Sequence, residues 1–164
     1  MSIERVRGYL APLGYAERIL SFEISSATVA LAAEAVGTAP ERIAKSLTLR
    51  GADEGSCIMI VAAGDRKIDN KKFRDAFGVK ARFLTAEEVT ELTGYAIGGV
   101  SPFDLSDRNV SVFLDVSLKR FETVFPAAGN SQSAIELTCD ELERLSCAKG
   151  WADVCKPIET VAEA

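Results

Sequence analysis

Cys57-Ile58-Met59-Ile60-Val61-Ala62-Ala63 is an unbroken apolar run of strand length that ends at Gly64-Asp65. A half-exposed strand alternates polar and apolar residues, so a run with no polar member predicts a central strand covered on both faces. On its N-terminal side, residues 43–50 carry Leu47, Thr48 and Leu49 and read as a second strand. That strand is entered from Thr38-Ala39-Pro40-Glu41, a capping-box pattern with proline in the first turn. On the C-terminal side, residues 69–77 read as a short helix stopped by Gly78, and residues 81–84 as a small strand. Thr85-Ala86-Glu87-Glu88 is a second capping box, opening a helix through Leu92 that stops at Gly94.

Farther out, residues 2–13 place Ile3, Val6, Leu10 and Leu13 at helical spacing, and residues 18–22 read as a short strand. Residues 28–36 are a helix ended by Gly37 in the position that a left-handed cap requires. Beyond Gly94, residues 110–115 read as a strand and 116–121 as a short helix or turn. Residues 123–128 lead into a polar turn over 129–133, and residues 134–137 form a strand. Thr138-Cys139-Asp140-Glu141 caps a helix to Cys147, residues 151–156 add a last strand, and 157–164 read as a frayed tail. Helices and strands interleave irregularly, with several strands in succession in the second half. The prediction is a single α/β (α+β) domain over residues 1–156, with a mixed central sheet flanked by helices.

The bulk composition narrows the chemistry. The chain has 164 residues and is 48% hydrophobic, enough for one sizeable core. No apolar run approaches the ~20 residues that span a bilayer. The first residues are charged and amphipathic, unlike a signal peptide, so a cytoplasmic protein with no membrane partner is expected. A net charge of −5 argues against non-specific coating of nucleic acid. There is no histidine, and the cysteines at 57, 139, 147 and 155 have no CxxC spacing. No metal and no cofactor are therefore expected, the thiols are read as reduced and mostly buried, and nucleophile pairs that depend on imidazole are excluded. Any catalysis must use carboxylates, lysine, backbone amides or the substrate itself.

Three features could carry such chemistry. Gly94-Tyr95-Ala96-Ile97-Gly98-Gly99-Val100-Ser101-Pro102-Phe103 is uncharged and glycine-rich. It reads either as a buried turn or as a loop whose amides from Gly98 to Ser101 grip a carbonyl or oxyanion. Lys45, between Ala44 and Ser46 in an apolar neighbourhood, is either a snorkelling surface residue or a point charge for phosphate. Between Asp65 and Arg82, seven basic residues including Lys71, Lys72 and Arg74 face three acids. That segment is either a solvated helix face or a patch for a few phosphates.

Taken in order, Lys45, the Gly-Tyr-x-x-Gly-Gly-Val-Ser-Pro-Phe loop, Ala128-Gly129-Asn130-Ser131 and Ile135-Glu136-Leu137 resemble the YbaK/ProX family of aminoacyl-tRNA editing domains. That family includes the editing insertion of bacterial prolyl-tRNA synthetase and free-standing deacylases. The resemblance implies hydrolysis of the ester joining a wrong amino acid to tRNA(Pro) or another tRNA, without a cofactor. It implies that Lys45 is needed for activity and contacts the acceptor end, that Gly98 and Gly99 take part in catalysis with it, and that Val100, Ser101, Pro102 and Phe103 line the aminoacyl pocket. Gly129, Asn130 and Ser131 would close its other side, with weak tRNA contacts from Lys71, Lys72 and Arg74. Partners would be the acceptor end of an aminoacyl-tRNA and possibly a synthetase complex, with the protein a monomer or homodimer. Small residues around the loop favour alanine, serine, threonine or cysteine as the edited amino acid. Asp104 stands where many relatives carry glycine, and some have a histidine near 129–131. A binding module of the same fold without turnover is the alternative.

Overall fold

The computed structural model describes residues 2–23 and 28–158. In chain order these form α1 (Ser2–Leu10), β1 (Ile19–Ser21), α2 (Val29–Val36), β2 (Ile43–Arg50), β3 (Cys57–Ala63), β4 (Arg66–Ile68) and α3 (Asn70–Phe77). The second half contributes α4 (Ala86–Thr93), β5 (Val110–Asp115), β6 (Thr123–Pro126), β7 (Ser133–Ile135), β8 (Leu137–Thr138), α5 (Cys139–Leu145), β9 (Gly150–Ala152) and β10 (Cys155–Pro157). Among the described residues, no helix is long and apolar enough to cross a membrane.

Helix boundaries follow local side-chain chemistry. Thr85 and Glu88 cap each other's amides at the start of α4, and Thr138 and Glu141 do the same for α5. Such a cap is worth about 1 kcal/mol. Gly37, Gly78 and Gly94 end α2, α3 and α4 in the left-handed conformation that a Cβ disfavours. The capping box expected at Thr38 does not form. Ala39 occupies the cap without a side-chain bond, and Pro40–Arg42 is a single 3-10 turn before β2. The Thr38 hydroxyl accepts instead from Arg42 Nη1 at 3.2 Å.

The sheet runs in the order β8-β6-β2-β3-β5-β9. β3 is buried at every residue, antiparallel to β2 and parallel to β5. Its Met59, Val61 and Ala63 pack with Leu114, Tyr95, Phe103, Leu142 and the α1 residues Val6 and Leu10 on one face. Ile58, Ile60 and Ala62 pack with Leu49, Phe73, Ile68 and Val154 on the other. Each such aliphatic side chain contributes roughly 1.5–3 kcal/mol by leaving water. Two antiparallel ribbons, β1 with β7 and β4 with β10, flank the main sheet.

Several sequence boundaries shift. The helix expected over 2–13 ends at Leu10 and tightens into a 3-10 turn over Ala11–Leu13, and α5 ends at Leu145. The strand expected at 81–84 reduces to one bridge, Phe83 with Leu49. The last two expected strands each divide in two, as β7 with β8 and β9 with β10, while β4 and β6 were not foreseen. Pro157 pairs with Arg66 and the Ile158 amide donates to Asp65, so these two are tied down where a tail was expected; 159–164 lie outside the described residues. Cys57 and Cys155 are buried, but Cys139 is half-buried and Cys147 exposed.

Candidate functional site

The site grows out of an interruption in strand pairing. On its outer edge, β2 pairs with β6 only at Ile43 and Ala44. Pairing resumes at Thr48, whose carbonyl accepts from the Leu84 amide, and at Arg50, whose amide donates to the Arg82 carbonyl. The register against β3 is unbroken from Ala44 to Arg50. Strand alternation therefore directs the peptide groups of even-numbered residues outward, Ser46 included. At this interval lies a hollow of about 300 Å³, a size suited to a small ligand. Its walls come from the start of α2 (Thr28, Val29, Ala32), from β2, from Phe83, Leu84 and Val89, from Ile97, Gly98 and Val100, and from Phe125, Ala127, Ser133 and Ala134.

Lys45 borders the hollow, and its Nζ donates to the Gly64 carbonyl at 3.3 Å. Burial lowers its pKa from the ordinary lysine value, while Cys155 and the Asp65 carboxylate pull the other way. Asp65 is held ionised by Arg120, which reaches its two oxygens at 3.0 and 2.6 Å. Gly64 allows this arrangement because a Cβ there would lie 2.1 Å from the Pro40 carbonyl oxygen.

The glycine loop divides into a front and a back. Gly98 and Val100 border the hollow, and among the described residues neither amide finds a partner. The sequence reading counts the Gly99 amide among the oxyanion donors; instead it donates to the Ala96 carbonyl at 3.0 Å and closes a turn. Gly99 serves a different need. A Cβ on it would lie 2.5 Å from Asn130 Cα, so the loop and the 129–131 segment touch backbone to backbone. Ser101, Pro102 and Phe103 are buried behind the loop and do not border the hollow. The Ser101 hydroxyl donates to Ala127 at 2.8 Å, and the Phe103 carbonyl accepts from Tyr95 Oη at 2.6 Å. Gly129, Asn130 and Ser131 likewise stand behind it, with Asn130 Oδ1 accepting from the Gln132 amide at 2.9 Å.

The back of the loop is braced from α1. Arg5 donates to Asp104 Oδ2 and to the Thr93 carbonyl, both at 2.9 Å, and also to the Asp104 carbonyl. Its guanidinium lies 4.2 Å from the Tyr95 ring centroid. Asp104 has a φ of +59°, the left-handed region that glycine enters freely and aspartate and asparagine more readily than other residues. On α3, the basic residues stand apart from the hollow. Lys71 pairs with Asp75 at 2.9 Å and Lys72 with Asp153 at 3.1 Å, and Arg74 is exposed.

Sequence reasoning missed Ser46, Thr48, Phe83 and Ile97 as lining residues. The apolar rim residues Phe83 and Ile97, at 56% and 62%, are the most exposed large hydrophobics among the described residues. Consecutive polar residues, Lys45 and Ser46, inside an apolar strand were the available signal.

The aminoacyl-tRNA editing domain family matches residues 25–145, and the chain belongs to it. It is 54% identical to the uncharacterized protein YwhH of Bacillus subtilis (strain 168), over 97% of this chain and 100% of that one. It is 30% identical to the prolyl-tRNA editing protein ProX of Acetoanaerobium sticklandii, over 66% of this chain and 68% of ProX. The crystal structure of a proposed trans-editing enzyme for prolyl tRNA synthetase superposes with a TM-score of 0.82 at 33% identity, covering 94% of this chain and 97% of that one.

Proposed function

We propose that the protein hydrolyses the ester between a small, wrongly attached amino acid and its tRNA. One juxtaposition supports the reading: in an editing-domain chain, Lys45 borders the same hollow as Gly98 and Val100, whose amides have no partner among the described residues. The amides polarise the ester carbonyl and stabilise the oxyanion, at about 3 kcal/mol for each well-placed donor. Water adds to the carbonyl carbon, the bond to the ribose oxygen breaks, and that oxygen takes a proton, leaving free amino acid and free tRNA. An aminoacyl ester is already activated, so positioning replaces the imidazole that this chain lacks. The Lys45 ammonium docks the terminal ribose or phosphate, and the exposed ring of Phe83 offers a face for the terminal base.

The relatives' names make tRNA(Pro) the first substrate to try. A panel of tRNA(Pro) carrying alanine, serine, threonine or cysteine should show release of at least one amino acid. Lys45→Ala should slow it by about a hundredfold or more. Binding of an aminoacyl-adenosine analogue without release from any tRNA would replace hydrolysis by a binding role.

A further inference from the structure

Ser46 is the rung of β2 left between the two paired stretches of the outer edge. Its hydroxyl oxygen is shielded from solvent and, among the described residues, has no hydrogen-bond partner. A buried hydroxyl in that condition is a standing penalty to the fold, and one kept beside a hollow calls for a ligand. The other polar side chains at the hollow are mostly committed. Lys45 donates to Gly64 at 3.3 Å, the Thr28 hydroxyl accepts from Leu31 at 3.2 Å, and the Ser133 hydroxyl donates to Asn130 at 3.4 Å. Thr48, two residues along on the same face of β2, is the exception. Serine has three staggered side-chain wells, and one turn about Cα–Cβ re-aims its oxygen.

Successive residues of a strand leave it on opposite faces, so Lys45 and Ser46 meet different ends of anything bound between them. The surroundings of Ser46 are apolar: it stands opposite Val61 on β3, and Ala44, Val89 and Val100 share the hollow. An end that carries phosphate and ribose does not suit that side; a small side chain does.

We propose that Ser46 is a specificity-determining residue, whose hydroxyl hydrogen-bonds the side-chain hydroxyl of the bound amino acid and makes the hollow prefer serine or threonine to alanine. This rests on the editing reading and narrows its substrate. The physical basis is asymmetric. A purely apolar pocket barely distinguishes an added hydroxyl, whereas a pocket with an unpaired hydroxyl discriminates against a ligand that leaves it unpaired.

The test compares release of serine, threonine and alanine from the same tRNA(Pro) by the unaltered protein, Ser46→Ala and Thr48→Val. The unaltered protein should favour serine or threonine over alanine by at least about tenfold in kcat/KM. Ser46→Ala should lose that preference by slowing serine and threonine release at least about tenfold more than alanine release, and its melting temperature should not fall. Equal handling of alanine and serine by the unaltered protein, or equal slowing of all three by Ser46→Ala, overturns the proposal. So does loss of the preference in Thr48→Val but not in Ser46→Ala. If no tRNA is hydrolysed, the editing reading fails separately. Calorimetric binding of amide-linked 3′-seryl- and 3′-alanyl-aminoadenosine then decides the Ser46 proposal, with equal affinities or no binding counting against it.

Discussion

α3 and the outer edge of β2 handle polar groups in opposite ways. On α3, Lys71 and Lys72 are exposed and each has a carboxylate within 3.1 Å. At the hollow, Lys45 has a carbonyl at 3.3 Å, the Ser46 oxygen has no partner, and the Gly98 and Val100 amides have none among the described residues. Exposed charges pair with little gain or loss, because water screens them. A group that is shielded and still unpaired costs stability, and its persistence points to something that binds there. The more conspicuous charge in the sequence lies on α3, but the more informative polar groups lie on β2.

The sharpest way to break this contrast is Gly99→Ala. The new Cβ would meet Asn130 Cα at 2.5 Å and its carbonyl carbon at 2.8 Å, so the loop must separate from the 129–131 segment. A loss of about 1–3 kcal/mol is expected in a denaturant melt, with deacylation falling by more than about tenfold as the Gly98 and Val100 amides lose their position. Unchanged activity would mean that the loop's position is immaterial.

Arg5→Met should act next most strongly, removing the bonds to Asp104 and Thr93 and the contact with the Tyr95 ring. About 1–3 kcal/mol of stability should go, with KM rising because the front of the loop is less fixed. Urea titration and steady-state kinetics on one tRNA would measure both.

Lys45→Met should move stability in the other direction. Burial holds the folded-state pKa below the ordinary 10.5, so at neutral pH the unfolded chain holds this proton more favourably than the folded one. Lys45 therefore costs stability below its folded pKa, and the cost fades as pH rises from there toward 10.5. The variant should melt higher than the unaltered protein at pH 7, with the gap closing in alkali. An equal gap at every pH would detach the effect from the ammonium.

Lys71→Ala and Lys72→Ala should do least, shifting stability by under about 0.5 kcal/mol. A small reduction in the salt dependence of tRNA binding would be their main trace. If either cost as much as Gly99→Ala, the distinction between the two regions would collapse.

The parts legible in the sequence were those decided by neighbours in the chain. The capping boxes at Thr85 and Thr138, the left-handed stops at Gly37, Gly78 and Gly94, and the apolar run of β3 are all local facts. β6, β7 and β8 were illegible or blurred, because strands of two to four residues exist through distant partners. The loop was legible as a loop, but the division of labour between Gly98 and Gly99 depends on a turn closing onto Ala96. Ser46 carried only a faint signal, as a second polar residue beside Lys45 in an apolar strand. A serine in a strand is ordinary until the strand order leaves it beside a break in pairing.

The bracing of the loop by Arg5 has a practical consequence for anyone trimming the chain. The family match covers residues 25–145. A fragment cut to that match would keep every described residue bordering the hollow but discard the guanidinium behind Asp104, together with Val6 and Leu10 from the core. The smallest piece expected to hold its loop rigid is set by leverage from α1, and it is longer than residues 25–145.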